Sequence, residues 1–301
     1  MAAAITAPGL RGISAGDAVP VAVVSLGLLV LWYAAAVWLN ADLQIDAFAR
    51  QGADWTTGDL IAGTWAQERP LLPAPHQVAA EMWATIVDTA ITSKRSLVYH
   101  GWVTLSSTLL GFAAGTLLGI VLAVGIVHVR ALEKSLLPWI IASQTIPILA
   151  IAPMVIVVLG AVGLKGLIPK AVISTYLCFF PVVIGMVKGL RAPDLLQMDL
   201  MRTYNASGAQ TFFKLRWPTA LPFLFASLKV AIAISLVGAI IAELPTGAQA
   251  GLGARLLAGS YYGQTIQIWS ALITAALLAA ALVALMSLIE RAVLRAMGGR
   301  P

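Results

Sequence analysis

Six stretches of the chain are long and almost uniformly apolar: 19–39, 97–127, 136–160, 167–187, 219–245 and 267–289. A helix needs about 20 apolar residues to cross a bilayer, so each stretch predicts one transmembrane helix. The 97–127 stretch, at about 1.5 Å per residue, outruns a hydrocarbon core of roughly 30 Å and must tilt or protrude. The first stretch has a competing reading as a signal peptide, because Ala34, Ala35 and Ala36 follow an apolar core. The apolar run continues through Leu39, which favours a retained helix.

The polar segments divide the chain further. Residues 1–18 form an N-terminal tail, 40–96 a long segment after the first helix, 97–290 a core, and 291–301 a C-terminal tail. Within 40–96, Pro70, Pro73 and Pro75 mark an extended piece, and 76–93 reads as a helix lying near the membrane surface. Trp55, Trp65 and Trp83 suit an interface. The acidic residues of this segment read best as part of a solvated loop cap with no chemistry.

Composition sharpens the class. Of 301 residues, 60% are hydrophobic and 11% charged, and the mean hydropathy is +0.91. A soluble domain carries roughly 25% charged residues. The chain is expected to be an all-α, multi-pass membrane protein, and neither a soluble enzyme nor a nucleic-acid binder. One cysteine, Cys178, excludes a disulfide framework. His76, His100 and His128 lack metal-ligand spacing, so no metal site is expected.

Basic residues orient the helices. With a cytoplasmic N-terminus, the inside segments hold Arg11, Arg130, Lys134, Lys188, Arg191, Arg202, Lys214, Arg216, Arg291, Arg295 and Arg300. The outside segments hold only Arg50, Arg69, Lys94, Arg95, Lys165 and Arg255 over a greater length. Both termini are therefore expected in the cytoplasm.

Inside the spans, Gly111, Gly115 and Gly119 recur at steps of four and let another helix approach closely. Pro138, Pro147 and Pro153 punctuate the third span, and Pro181 the fourth. Ser143, Gln144 and Thr145 precede Pro147; a transport-pathway lining and a locally satisfied kink are equally compatible with them. Lys229 and Glu243 lie in the fifth span, about 21 Å apart along it, too far to pair. Snorkelling of Lys229, a place at the outer mouth for Glu243, and a substrate role all stay open.

Segment 188–218 is different. Pro193 and Asp194 suit a helix start. Asn205 suits a left-handed stop near Tyr204. Ser207 and Gln210 have capping-box spacing for a second helix, which is expected to finish before Pro218. The pattern predicts a rigid helix-turn-helix.

The run from Asp199 to Pro218 resembles the cytoplasmic coupling loop, E-A-A then G then I-x-L-P, of permease subunits of bacterial ABC importers. Asp199 stands at the Glu, Asn205 at the Gly, Leu215 and Trp217 at the Ile and Leu, and Leu200-Met201 replaces the alanines. Leu72 to Pro75, Gln144 to Pro147, Phe179 to Pro181, Gly189-Leu190, Ala242-Glu243 and Gly251 to Gly253 resemble the nitrate/sulfonate/taurine branch in order. That branch includes carriers of pyrimidine, thiamine-precursor and riboflavin-type heterocycles, and the wording around 199–231 is closest to these.

The resemblance implies a type I importer permease of about six transmembrane helices in the bacterial inner membrane, whose 188–218 loop docks on separate ATPase subunits. The docking surface would comprise Arg202, Thr203, Tyr204, Asn205, Ala206, Ser207, Gly208, Ala209, Gln210, Phe212 and Phe213, with Asp199 and Asn205 setting its shape. It further implies two ATP-binding subunits carrying ATP and Mg, a second permease (identical or a paralogue), and a periplasmic or lipid-anchored solute-binding protein. Membrane lipid surrounds the chain. No cofactor is expected on the chain itself, because no Gly-Lys dipeptide, and so no P-loop, occurs in it. The alternative function is an ion-coupled secondary transporter acting alone, for which the membrane charges are sparse.

Overall fold

The computed structural model of the chain describes residues 15–52, 54–245 and 250–298, with side chains described from residue 19. The described residues fold into helices joined by turns and short loops. In order they form α1 (Ala15–Gln51), α2 (Thr57–Ala66), α3 (Pro75–Trp83), α4 (Leu97–His128), α5 (Arg130–Ser143), α6 (Ile148–Ala161), α7 (Leu167–Leu190), α8 (Leu195–Thr203), α9 (Gly208–Thr211), α10 (Trp217–Glu243), α11 (Leu252–Tyr261) and α12 (Thr265–Ala296). Among the described residues, five helical stretches are long and apolar enough to cross a membrane, or six if α5 and α6 make one broken span.

Contacts divide the chain into two compact units. One holds the residues up to Thr89 together with Ala258–Ser270. Here α1 runs on past Leu39 to Gln51, twelve residues beyond the apolar stretch. The reason is visible at Asn40, which is fully buried. Its amide oxygen accepts from the Leu71 and Leu72 amides at 2.7 and 3.3 Å, and its nitrogen donates to the Leu72 carbonyl at 2.8 Å. A proline-rich stretch lacks N–H groups for regular pairing, so one asparagine inside the helix holds it. Trp32 Nε1 adds a bond to the Pro73 carbonyl at 3.0 Å. The entry of α2 is a capping box between Thr56 and Asp59. The Thr56 hydroxyl and amide hold the Asp59 carboxyl below its ordinary value.

The other unit holds Ala90–Leu257 and the residues from Ala271 on. Its centre is α4 against α7 and α7 against α10. The three α4 glycines lie on the α7 contact. A Cβ at Gly111 would stand 2.8 Å from the Ala171 carbonyl, and one at Gly119 3.0 Å from the Phe179 carbonyl. Either would push the helices apart, which is what a small-residue face prevents. Hydroxyls stitch the same layer. Ser174 Oγ lies 2.6 Å from Ser235 Oγ, and Ser235 Oγ donates to the Thr108 carbonyl at 2.9 Å. Leu282 and Met286 of α12 complete the core around Met186, Leu190 and Ile232.

The single third span of the sequence reading is two helices here. α5 and α6 meet at 99°. Each has 14 residues, about 21 Å, too short to cross a bilayer alone. Pro147 is the N-cap of α6 and lacks the N–H that would continue α5. Pro138 and Pro153, by contrast, lie inside helices that continue through them.

Candidate functional site

Two places in the second unit carry chemistry. The first is the 194–216 segment. Asp194 is the N-cap of α8, with the Gln197 amide donating to Oδ1 at 2.7 Å; Pro193 lies before the cap, not in the first turn. The helix stops in a Schellman motif. The Ala206 amide reaches the Met201 carbonyl at 2.9 Å and the Asn205 amide reaches the Arg202 carbonyl at 2.8 Å. Asn205 takes φ 49, and no other non-glycine among the described residues has a positive φ. Ser207 and Gln210 form the capping box of α9, with bonds of 3.2 and 2.8 Å.

The second short helix does not finish before Pro218. It passes through a π-turn, Phe212–Arg216, directly into α10. The wider turn accommodates Pro218, which has no N–H to give and would crowd a regular α-turn. Gly208–Glu243 is therefore one continuous 36-residue helical stretch, about 54 Å long.

Exposure sorts the segment. Tyr204 and Phe213 are 77% and 67% exposed. Phe212 turns inward instead, with ring centroids 5.6 Å from His128 and 6.0 Å from Trp217. The two neighbouring phenylalanines thus have different jobs: Phe212 seats the segment and Phe213 faces out. Leu195, Leu196 and Leu200 of α8 are also exposed, and sequence reasoning missed them by starting the docking surface at Arg202. Asp199 pairs with Arg202 at 2.9 Å on the surface and accepts from Thr203 Oγ1 at its carbonyl. Exposed large apolar side chains on a rigid, capped scaffold make this segment a candidate docking surface.

The second place is a buried charge clasp. Glu243 is fully buried. Its carboxylate accepts from Lys170 Nζ at 3.1 Å, Thr104 Oγ1 at 2.9 Å and the Gly253 amide at 3.0 Å. Thr104 Oγ1 in turn accepts from the Leu252 amide at 2.9 Å. His100 Nδ1 accepts from the Gly251 amide at 3.0 Å, which puts the ring proton on Nε2, donating to the Lys94 carbonyl at 2.9 Å. Gly251 has φ +126, and a Cβ there would run into the Glu243 carboxylate. One ion pair therefore fixes the 250–253 turn onto α4, α7 and α10.

The structure disperses the proposed pathway residues. Glu243 joins Lys170, and Lys229 pairs with Glu290 of α12. Ser143, Gln144 and Thr145 stay together at the α5–α6 bend. Ser143 Oγ and Thr145 Oγ1 donate to the Ile140 and Ala142 carbonyls at 2.7 Å each, and Gln144 donates to Ser143. Tyr176 of α7 donates to the Ser143 carbonyl. The carbonyls freed by Pro147 are thus met partly from within the turn and partly from α7.

Comparison with known proteins completes the picture. Residues 115–299 match the family described as binding-protein-dependent transport system inner membrane component. The chain belongs to this family. It is 32% identical over 244 residues to the riboflavin transport system permease protein RibX of Chloroflexus aurantiacus, covering 80% of this chain and 85% of the relative. It is 30% identical to the formylaminopyrimidine transport permease protein ThiX of Halalkalibacterium halodurans, over 61% and 68% of the two chains. It is 25% identical to the putative aliphatic sulfonates transport permease protein SsuC of Bacillus subtilis, over 85% and 93%. The chain is thus a type I ABC importer permease: a multi-pass, non-catalytic inner-membrane subunit whose ATPase activity lies in separate subunits. It associates with ATP-binding and solute-binding components.

Proposed function

We propose that the chain moves a small solute from periplasm to cytoplasm by alternating access, with both termini cytoplasmic, and that segment 188–218 transmits ATPase closure to the pathway. The observation that carries this reading is the unbroken helix from Gly208 to Glu243. A docked subunit moving α9 moves α10 with it, because no loop intervenes to absorb the displacement. Tyr204, Phe213 and the α8 leucines supply the apolar anchors, while Asn205 and the two capping boxes hold their geometry. Two ATP-binding subunits, carrying ATP and Mg, would take one such surface from each of two permeases, identical or paralogous. A periplasmic or lipid-anchored binding protein would deliver the solute. The preferred solute is a heterocycle of the pyrimidine or riboflavin type, supported by the relatives named for riboflavin and formylaminopyrimidine; nitrate and sulfonate relatives share less identity. An ion-coupled carrier is less favoured, since Lys229 and Glu243 are each held in an ion pair.

The test is affinity purification of the tagged chain from gently solubilised native membranes. A P-loop ATPase should copurify in stoichiometric amount and be lost when residues 202–213 are replaced by a Gly-Ser linker. Purification without any ATPase, with uptake by the reconstituted chain alone, would overturn the reading.

A further inference from the structure

Beside the Glu243 clasp, α4, α6, α7 and α10 surround an open cavity of about 740 Å³. Small-molecule sites span roughly 300–1,000 Å³. Aliphatic side chains such as Ile156 and Leu167 make most of its wall, and its polar side chains are Tyr99, Ser106, Lys165 and Lys170. No carboxylate lines it among the described residues. Glu243 lies behind Lys170, fully buried. An ammonium group has three N–H donors. Lys170 gives one to Glu243 at 3.1 Å and one to the Ala250 carbonyl at 2.8 Å, which leaves the third for the cavity. Lys165 is exposed and adds positive charge at the cavity wall. An organic cation would meet two ammonium groups and no counter-charge here. An oxygen acceptor would meet a donor already held in place by its two other bonds, so little ordering cost remains.

We propose that this cavity binds the transported solute and that the solute carries an electronegative oxygen, carbonyl or oxyanion, on an apolar body, with that oxygen accepting from Lys170. The proposal rests on the importer reading and narrows it: the chemistry is shared by carbonyl-bearing heterocycles and alkyl sulfonates, and it excludes organic cations.

The test uses the assembled importer purified with its ATPase and carrying Ser106→Cys, a position on the cavity wall. Cys178 is buried and supplies the background. Labelling of the new thiol by a neutral maleimide is timed with riboflavin, 1-butanesulfonate or thiamine present. Protection by riboflavin identifies the carbonyl class, protection by butanesulfonate the oxyanion class, and either supports the proposal. Protection by thiamine, or by none of the three, overturns it. Lys170→Met alone leaves Glu243 unpaired and can fail to fold, so the deciding variant is Lys170→Met with Glu243→Gln. It should raise the half-protecting concentration at least about tenfold, the size of one lost charge-assisted hydrogen bond. Unchanged protection in that variant also overturns the proposal. ATPase retention on the wild-type complex reads the importer reading separately. A complex that keeps its ATPase but shows no protection refutes the cavity site and leaves the importer reading standing.

Discussion

At its Glu243 end, the long helix from Gly208 to Glu243 is buried, and the Glu243 carboxylate meets three donors from α4, α7 and the first turn of α11. At its Gly208 end, the segment that feeds it leaves Tyr204 and Phe213 more than two-thirds exposed. One end places charge where a membrane protein ordinarily has none, and the other leaves large apolar rings uncovered outside the long apolar spans. Each inversion is costly unless it is compensated. At the first end the compensation is internal and complete. At the second, the described residues leave Tyr204 and Phe213 largely uncovered, and under the proposed docking the cover comes from an ATP-binding subunit. The contrast teaches that a carboxylate buried in a span can serve to hold a turn and its neighbouring lysine in place, and that apolar residues beyond the spans need not be core.

Substitutions that treat the two ends alike would break this contrast. The largest effect is expected at the clasp. Glu243→Leu strands Lys170, and Gly251→Ala drives a methyl into the carboxylate at an unfavourable φ. Stranding one partner of a buried pair costs about 3–5 kcal/mol. Both variants should give low yields of monodisperse protein and a markedly lower Tm in detergent; a wild-type melting curve for either would refute the clasp.

A middle effect is expected at the docking end. Leu196→Ser with Phe213→Ser removes two largely exposed apolar anchors, and with them the edge-on packing of Phe213 on the Phe212 ring at 5.0 Å. Stability should fall by no more than about 1.5 kcal/mol, the size of one aromatic pair, whereas ATPase retention should fall at least about tenfold, the size of losing two buried anchors from an interface. Loss of stability with retained ATPase would reverse the assignment.

The smallest effect is expected at Asp199→Ala. The Asp199–Arg202 pair is exposed and local, and such pairs contribute about 0.2–1 kcal/mol. A Tm change of a degree or two and near-normal ATPase retention are expected. A loss as large as that of the anchor pair would mean that Asp199 contacts the partner directly.

Much of this was legible in the sequence, for physical reasons that also explain the omissions. The apolar runs locate α4, α7, α10 and α12 because the bilayer demands length. The turn at Asn205 and the capping box at Ser207 are short-range devices, so their spacing alone discloses them. The extension of α1 to Gln51 was hidden because its polar residues look like a loop until Asn40 is seen holding the 70–75 stretch. The α5–α6 bend was hidden because a proline marks a break and not an angle. Lys170 as the partner of Glu243 was hidden because the two lie 73 positions apart. The continuation of α9 into α10 was hidden because Pro218 ordinarily ends a helix, and only the π-turn lets it pass.

The most direct test of the account places a photo-cross-linking amino acid at position 213 and, separately, at the exposed lipid-type position 31 of α1, in native membranes. The account predicts an adduct between this chain and an ATP-binding subunit from position 213 and none from position 31. An ATP-binding subunit captured from position 31 and not from 213, or from neither, would contradict it.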